Sequence, residues 1–185
     1  MGRHEVSPHH PAEGGGAACP AAPSTATVDT VARTDYVDDP DAPTVNSVVP
    51  SAVAVVERDG DVLLIHKTDN DLWALPGGGH EPGETISQTV VREVREETGY
   101  EVEVTGLVGT YTDPGHVIAY DDGEVRQQFS LCFTARLLGG TARTSSESKA
   151  VAWVVPRDTA DLPMHPSMRL RLQHALEHRP TPYLG

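Results

Sequence analysis

Glu93, Glu96 and Glu97 stand close enough along the chain, in the run REVREE, to share a chemical task. On a helix, residues three and four apart lie on one face, and like charges placed there destabilise it by about a few tenths of a kcal/mol per pair. A divalent cation would offset that repulsion. Magnesium in particular takes oxygen ligands, commonly one or two carboxylates completed by water and substrate phosphates. Taken alone, REVREE also suits an ordinary solvated helix face, since Glu and Arg are good helix formers. The Gly/Pro-rich segment DLWALPGGGHEPGE leads into it, and three carboxylates on one helix face beside such a segment suit magnesium. That segment is too rich in breakers for an element interior and reads as a loop of defined shape.

The elements that must position these groups follow from the flanking pattern. In TISQTVVREVREETG, Thr85 and Gln88 form a capping box, Gly99 sits at the C-cap position, and Ile86, Val90, Val91 and Val94 supply an apolar stripe. The spacing predicts a helix over 86–98. SAVAVVERDGDVLLIHK predicts strands at about 51–57 and 61–67, joined by a hairpin at Asp59-Gly60. Further strands are expected at 100–107, at 127–138 after a turn at Asp121-Asp122-Gly123, and at 150–155. A C-terminal helix is expected from Ser167 to Glu177, its start set by His165-Pro166. Strands and helices interleave without an internal repeat, which predicts an α/β or α+β sandwich.

Residues 1–46, rich in Gly, Pro, Ala and Ser and ending in DYVDDPDAP, are expected to be a disordered tail, with one short ordered piece around Val28 to Tyr36. The folded domain is expected at 47–180, with 181–185 as a C-terminal tail. His9 and His10 lack supporting ligands in such a tail and do not suggest a metal centre. The 185 residues carry a formal charge of -13, which disfavours a nucleic-acid polymer as partner. The same charge raises the question of how an anionic small molecule is handled, and a bound cation, which inverts the local charge, is one answer. Cys19 and Cys132 form no framework, and Cys132, in an apolar run, reads as a buried inert thiol. Neither an apolar signal core nor a run long enough to span a bilayer is present, so a cytoplasmic protein without membrane attachment is expected.

Taken with its loop, the stretch from Gly78 to Tyr100 resembles the signature of the Nudix hydrolases. That signature is a glycine, five residues, a glutamate, seven residues, then Arg-Glu-apolar-x-Glu-Glu-x-Gly-apolar. Gly78, Glu84, Arg92, Glu93, Val94, Glu96, Glu97, Gly99 and Tyr100 occupy its positions. Tyr100 departs from the usual aliphatic residue, with a ring that still suits packing at a strand start. The likeness extends over about residues 48–178 and leaves the N-terminal segment outside it.

The resemblance implies an α/β/α sandwich with a central mixed β-sheet. It also implies an enzyme that splits phosphoric anhydride bonds by attack of water at phosphorus, cleaving a nucleoside diphosphate linked to another moiety. NDP-sugars including ADP-ribose, nucleoside triphosphates and dinucleoside polyphosphates are the candidate substrates. Mg²⁺, with Mn²⁺ as a substitute, would be held by Glu93 and Glu97, with Glu96 as a further ligand or proton acceptor and the Gly77 backbone carbonyl as another oxygen. Glu147 resembles the glutamate that many members recruit from outside the signature, although its setting, SSESK, equally suits a solvated loop. Arg92 is expected to orient a glutamate, because buried arginines favour bidentate carboxylate pairing. Glu84 is expected to brace the loop against the helix, with a direct catalytic part as the other reading. The family also makes a homodimer an expectation.

Arg126 is a candidate phosphate contact or an exposed strand-end arginine, and Trp73 a candidate stacking platform, although Trp73 and Trp153 also suit core or wall. His66 reads as a strand-end residue, His80 as a loop residue and His116 as a candidate for the cleft wall. Members active on ADP-ribose often carry a proline downstream of the signature, near the position of Pro114. A nucleotide-sensing or protein-interaction module on the same fold is the alternative. Such modules often lose signature glutamates, and all are present here. An isomerase of this fold would want further catalytic groups that the sequence does not display.

Overall fold

The computed structural model describes residues 33–185. Along them run β1 (Arg33–Val37), β2 (Ser51–Arg58), β3 (Asp61–Lys67), β4 (Trp73–Ala74), β5 (Gly77–Gly79), α1 (Ile86–Thr98), β6 (Tyr100–Tyr111) and β7 (His116–Tyr120). They are followed by β8 (Val125–Gln127), β9 (Ser130–Gly140), β10 (Ser148–Val154), a 3₁₀ turn (Pro156–Asp161), α2 (Pro166–Leu176) and β11 (Tyr183–Leu184). The central sheet has the order β10-β3-β2-β9-β6-β11, with β4 beside β3 and β5 beside β2. It is mixed: β2 with β9 and β6 with β11 run parallel, and the remaining pairs are antiparallel. A second sheet, β1-β7-β8, stands apart from it.

Side chains of a strand alternate between faces, and β2 shows what that alternation accomplishes. Ala52, Ala54 and Val56 pack with Val90 and Val94 of α1 on one side. Val53 and Val55 pack with Leu172 and Ala175 of α2 on the other. The near-continuous apolar run SAVAVV is therefore a strand buried on both faces, and the expected α/β/α sandwich is the observed architecture. Each Val or Leu taken fully out of water contributes about 1.5–3 kcal/mol, so the sheet and α1 form a rigid base. The capping box at Thr85 and Gln88 is formed and Gly99 caps the other end, so α1 has the expected limits. In the hairpin, Asp59 and Gly60 both have positive φ, at 53° and 89°, as a tight two-residue turn requires.

Two boundaries are corrected. Residues 33–46 are not part of a disordered tail: β1 pairs along β7, with Asp35 opposite Ile118, and Asn46 is hydrogen bonded to Val125. Residues 181–185 are not a free tail either, since β11 adds to the edge of β6 and the Thr112 N–H donates to the Gly185 carbonyl at 2.7 Å. Both segments lack apolar periodicity and are ordered by backbone pairing to a partner distant in sequence. The expected strand 127–138 divides, because the chain leaves the small sheet at Gln127 and enters the central one at Ser130. The strand His116–Tyr120 was not anticipated. The rest of the expected tail, including His9, His10, Cys19 and most of the short ordered piece, lies outside the described residues.

Candidate active site

Helix α1 leaves the sheet with its last turn against the loop that carries β5. Glu97, 2% exposed, accepts a hydrogen bond from the Gly77 N–H at 2.7 Å through Oε2. Its Oε1 is buried without a hydrogen-bond partner among the described residues, and Lys67 Nζ stands 3.7 Å away. Burial pushes the carboxyl up to about 8, with Glu93 and Glu147 adding to the rise while Lys67 and the Gly77 N–H oppose it. Glu93 lies against the backbone of Gly78: a Cβ at residue 78 would sit 2.5 Å from Glu93 Oε1. The glycine thus lets the loop approach a carboxylate that any side chain would displace. Gly77 has φ 148°, and a Cβ there would meet the Ala52 carbonyl oxygen at 2.2 Å.

Arg92 gathers the remaining acids. Its Nε donates to Glu84 Oε1 at 2.6 Å, and Nη2 donates to Glu84 Oε2 at 3.1 Å and to the Gly79 carbonyl at 3.0 Å. Nη1 reaches Glu93 at 2.8 Å and Glu96 at 3.3 Å. The guanidinium bond, helped by Thr89 Oγ1 at 2.8 Å, holds the Glu84 carboxyl down to about 2. Glu84 therefore faces Arg92, Thr89 and the loop. Glu96 is the exposed member of the helix cluster, at 54% of its side chain. Glu147 is also exposed, 3.9 Å from Lys67 Nζ. The fold thus brings together Glu84, Arg92, Glu93, Glu96, Glu97, Gly77 and, through Lys67, Glu147.

Beyond Gly77–Gly79 and Lys67 opens a cleft walled by β1, β7, β8 and the start of α2. Trp73 lines it, with one ring face covered by His66, whose ring stacks at 4.8 Å and 6°. Arg126 lines it too, but its charge is already engaged by Glu124 at 2.5 Å, with Tyr120 under the guanidinium at 4.5 Å. His116, buried, contacts Asp35 at 2.9 Å and Gln128 at 2.7 Å, and stacks on His165 at 4.7 Å. His80 instead contacts Thr89 at 2.7 Å, and Trp153 bonds the Tyr100 hydroxyl at 3.0 Å. Neither of these two, nor Pro114, lines the cleft. Cys132 is fully buried and its thiol is pushed up to about 12 by that burial, as its apolar setting implied.

Sequence reasoning did not single out Lys67, Asp35, Gln128 or Arg171, and read His165 only as a helix start. For Arg171 a signal existed: Met168, Arg171, Leu172 and Ala175 share the helical spacing of a buried stripe, and a charge on such a stripe is unusual. The cleft is lined by Arg33, Lys67, Arg126 and Arg171 against one carboxylate, Asp35, in a chain whose formal charge is -13.

The family model for the NUDIX domain matches residues 48–175. The chain belongs to the NUDIX family. It is 40% identical over 136 residues to a MutT-like protein of Streptomyces ambofaciens, covering 74% of this chain and 80% of that protein. It is 36% identical over 103 residues to the ADP-ribose pyrophosphatase of Methanocaldococcus jannaschii, covering 51% of this chain and 54% of that one. Among solved structures, a NUDIX hydrolase from Nitrosomonas europaea superposes with a TM-score of 0.61 at 21% identity, over 77% of this chain and 80% of that chain, which speaks for the fold. This NUDIX chain is accordingly a pyrophosphohydrolase, of a family that generally depends on divalent metal and acts on small nucleotides. Among the described residues no helix is long and apolar enough to cross a membrane.

Proposed function

We propose that the chain uses Mg²⁺ to split the pyrophosphate linkage of a nucleoside diphosphate joined to another moiety, such as a sugar. The observation that carries this reading is the pairing of a buried, orphaned carboxylate oxygen with a cation-lined cleft. Glu97 Oε1 is an acceptor taken out of water with no donor, a costly arrangement unless a cation completes it. The residues present fit such an ion: Glu97 and Glu93 supply oxygens from one helix, Glu96 lies beside them, and the Gly77 carbonyl and Glu147 are further oxygen donors. When bound, a divalent cation neutralises diphosphate oxygens and acidifies water.

The chain's own groups then have separable tasks. Arg92 fixes the Glu93 carboxylate and ties it to Glu84 and the Gly79 carbonyl, so the loop and the helix hold one geometry. Glu84 is accordingly a positioning residue. Lys67, between Glu97 and Glu147, offers a positive charge to a phosphate oxygen at the cleft mouth. Glu96, open to solvent, accepts the proton of the attacking water and can pass it to bulk. Water forms a new P–O bond while the bridging P–O bond breaks, and the leaving phosphate takes the electron pair. Trp73, in the cleft wall, is an aromatic side chain placed to meet the nucleoside part. The ADP-ribose pyrophosphatase relative supports a sugar-linked diphosphate as the substrate class.

The test is turnover across a panel of NDP-sugars, nucleoside triphosphates and dinucleoside polyphosphates, with Mg²⁺, Mn²⁺ or EDTA, for wild type and Glu97→Gln. Hydrolysis of a sugar-linked diphosphate that needs metal and is lost in the variant is expected. Tight nucleotide binding with no turnover of any substrate would defeat the proposal in favour of a sensor.

A further inference from the structure

Arg171 is a buried cation without a counter-ion among the described residues. It is 2% exposed, its Nη1 reaches only the Met168 sulfur at 3.3 Å, and its Nε has no partner. Among the described residues it pairs with no carboxylate, and its guanidinium lies 5.1 Å from the centre of the Tyr111 ring. Taking a guanidinium out of water without an anion is strongly unfavourable, and in this acidic chain counter-ions are plentiful elsewhere. Arg171 lines the cleft, so the missing partner can arrive from solvent.

A second orphan points the same way. Ser130 Oγ, on a residue 3% exposed that also lines the cleft, lacks a hydrogen-bond partner among the described residues. Ser130 lies opposite Tyr111 in the β6–β9 register, the ring beneath Arg171. His165, the N-cap of α2, belongs to the same wall, with Nδ1 held by Ser167 at 2.8 Å. Asp35, His116 and His165 place one ligand atom each within 4.8 Å of one another, which raises the question of a metal. The Asp35 carboxylate is already taken by His116 at 2.9 Å and Arg33 at 3.3 Å. With the Arg33 guanidinium at its edge and the unpaired Arg171 on the same wall, the cluster suits an anion better than a further cation.

We propose that Arg171, with Ser130 and His165, forms a subsite for a second anionic group of the substrate, a phosphomonoester or carboxylate carried on the part that does not react. The proposal rests on the hydrolase reading for its ligand and deepens it: the substrate bears a charge beyond its diphosphate. A guanidinium recognises either oxyanion through paired N–H donors, and both would neutralise the buried charge. Base carbonyls would satisfy a donor but leave the charge uncompensated.

The experiment is calorimetric binding to the full chain in EDTA, where no turnover occurs. AMP is compared with adenosine 2′,5′- and 3′,5′-bisphosphate, and UMP with orotidine 5′-monophosphate, so the two arms separate phosphomonoester from carboxylate. At least one doubly anionic ligand is expected to bind wild type tenfold or more tighter than its partner. Arg171→Gln should erase that preference, Arg171→Lys should retain part of it, and Ser130→Ala should weaken it. Circular dichroism would confirm that each variant is folded, and Arg171→Lys serves if Arg171→Gln is not. Equal affinity within both pairs, a preference that survives in folded Arg171→Gln, or no binding by any nucleotide would overturn the subsite. Loss of the preference in Arg171→Gln together with an inactive metal-loaded wild type would sustain the subsite and count against the hydrolase reading alone.

Discussion

Glu97→Gln separates what the Glu97 carboxylate costs the fold from what it does for a cation. The amide is nearly isosteric and keeps an acceptor for the Gly77 N–H, which now donates at 2.7 Å, while removing the buried ionisable group. Burial raises the carboxyl from 4.5 to about 8. A carboxyl raised on folding holds more protons in the folded than in the unfolded chain between those values. Its contribution therefore favours the fold at low pH and is lost as pH climbs through that window. At about 1.4 kcal/mol per pKa unit, keeping the proton that the unfolded chain would release costs the metal-free fold at most about 3 kcal/mol at neutral pH. Allowing for local rearrangement and loss of the Lys67 attraction, the variant should gain about 1–3 kcal/mol in EDTA. For a domain of this size that is a melting temperature higher by about 2–10 °C.

Magnesium should change that order. At a free concentration about one hundred times its dissociation constant, a ligand that binds only the folded state adds about 2.7 kcal/mol. Wild type should receive that increment and Glu97→Gln little of it, while turnover falls by about 10²-fold or more. Wild-type affinity for Mg²⁺ should also rise with pH, because a ligating carboxylate must lose its proton. Calorimetric melting of both proteins, with EDTA and with Mg²⁺, on either side of neutral pH, checks each statement. If the variant melts below wild type in EDTA at neutral pH, the burial argument fails. If it keeps the wild-type Mg²⁺ shift, Glu97 is not a ligand.

Arg92→Ala should lower kcat by about 10–100-fold with KM little changed, as for groups that orient metal ligands. Arg92→Lys should recover only part, because an ammonium cannot fork between Glu84 and Glu93; a KM effect without a kcat effect would place Arg92 on the substrate instead. Gly78→Ala should reduce turnover and Mg²⁺ binding by pushing the Glu93 carboxylate, 2.5 Å from the new Cβ, out of place. Gly77→Ala should instead destabilise the fold, since its Cβ meets the Ala52 carbonyl oxygen at 2.2 Å, and melting curves distinguish the two. Removing residues 1–45 takes Arg33 and Asp35 from the cleft wall and should raise KM about tenfold, a loss of about 1.4 kcal/mol, while leaving the Mg²⁺-dependent melting shift intact.

The parts legible in the sequence are those specified by local chemistry. The limits of α1 follow from Thr85, Gln88 and Gly99, and its inward face from Val90 and Val94, because caps and periodicity act within a few residues. The grouping of Glu84, Arg92 and the helix glutamates is legible for the same reason, since one loop and one helix carry them all. Asp35 and His116 are 81 residues apart, and their contact depends on β1 pairing with β7, which no local pattern announces. β1 itself, RTDYV, has no buried residue and two charges in five residues, so its composition resembles a linker. Arg126, read from its position as a phosphate contact or a strand-end arginine, lines the cleft, and its neighbour but one, Glu124, holds the guanidinium, a pairing its position alone does not announce.

Charge gives the site its logic. A chain with a formal charge of -13 would repel a diphosphate if its carboxylates were spread evenly around the cleft. Instead the acids of the signature gather behind the Gly77–Gly79 loop, where Arg92 binds three of them and Glu97 keeps one oxygen unpaired. The cleft in front of that loop is lined by Arg33, Lys67, Arg126 and Arg171. Arg33 and Arg126 have acidic partners beside them, at Asp35 and Glu124, and so contribute shape and donors more than net field. Lys67 is shared between Glu97 and Glu147, and a cation that took those carboxylates would free it. Arg171 alone of the four is uncompensated within the described residues, so it is the group whose ligand the fold itself does not supply. A diphosphate held near Lys67 leaves Arg171 still unpaired unless the remainder of the substrate carries an anion. On that ground the substrate's second charge, more than its base or sugar, should decide which nucleotides this cleft prefers.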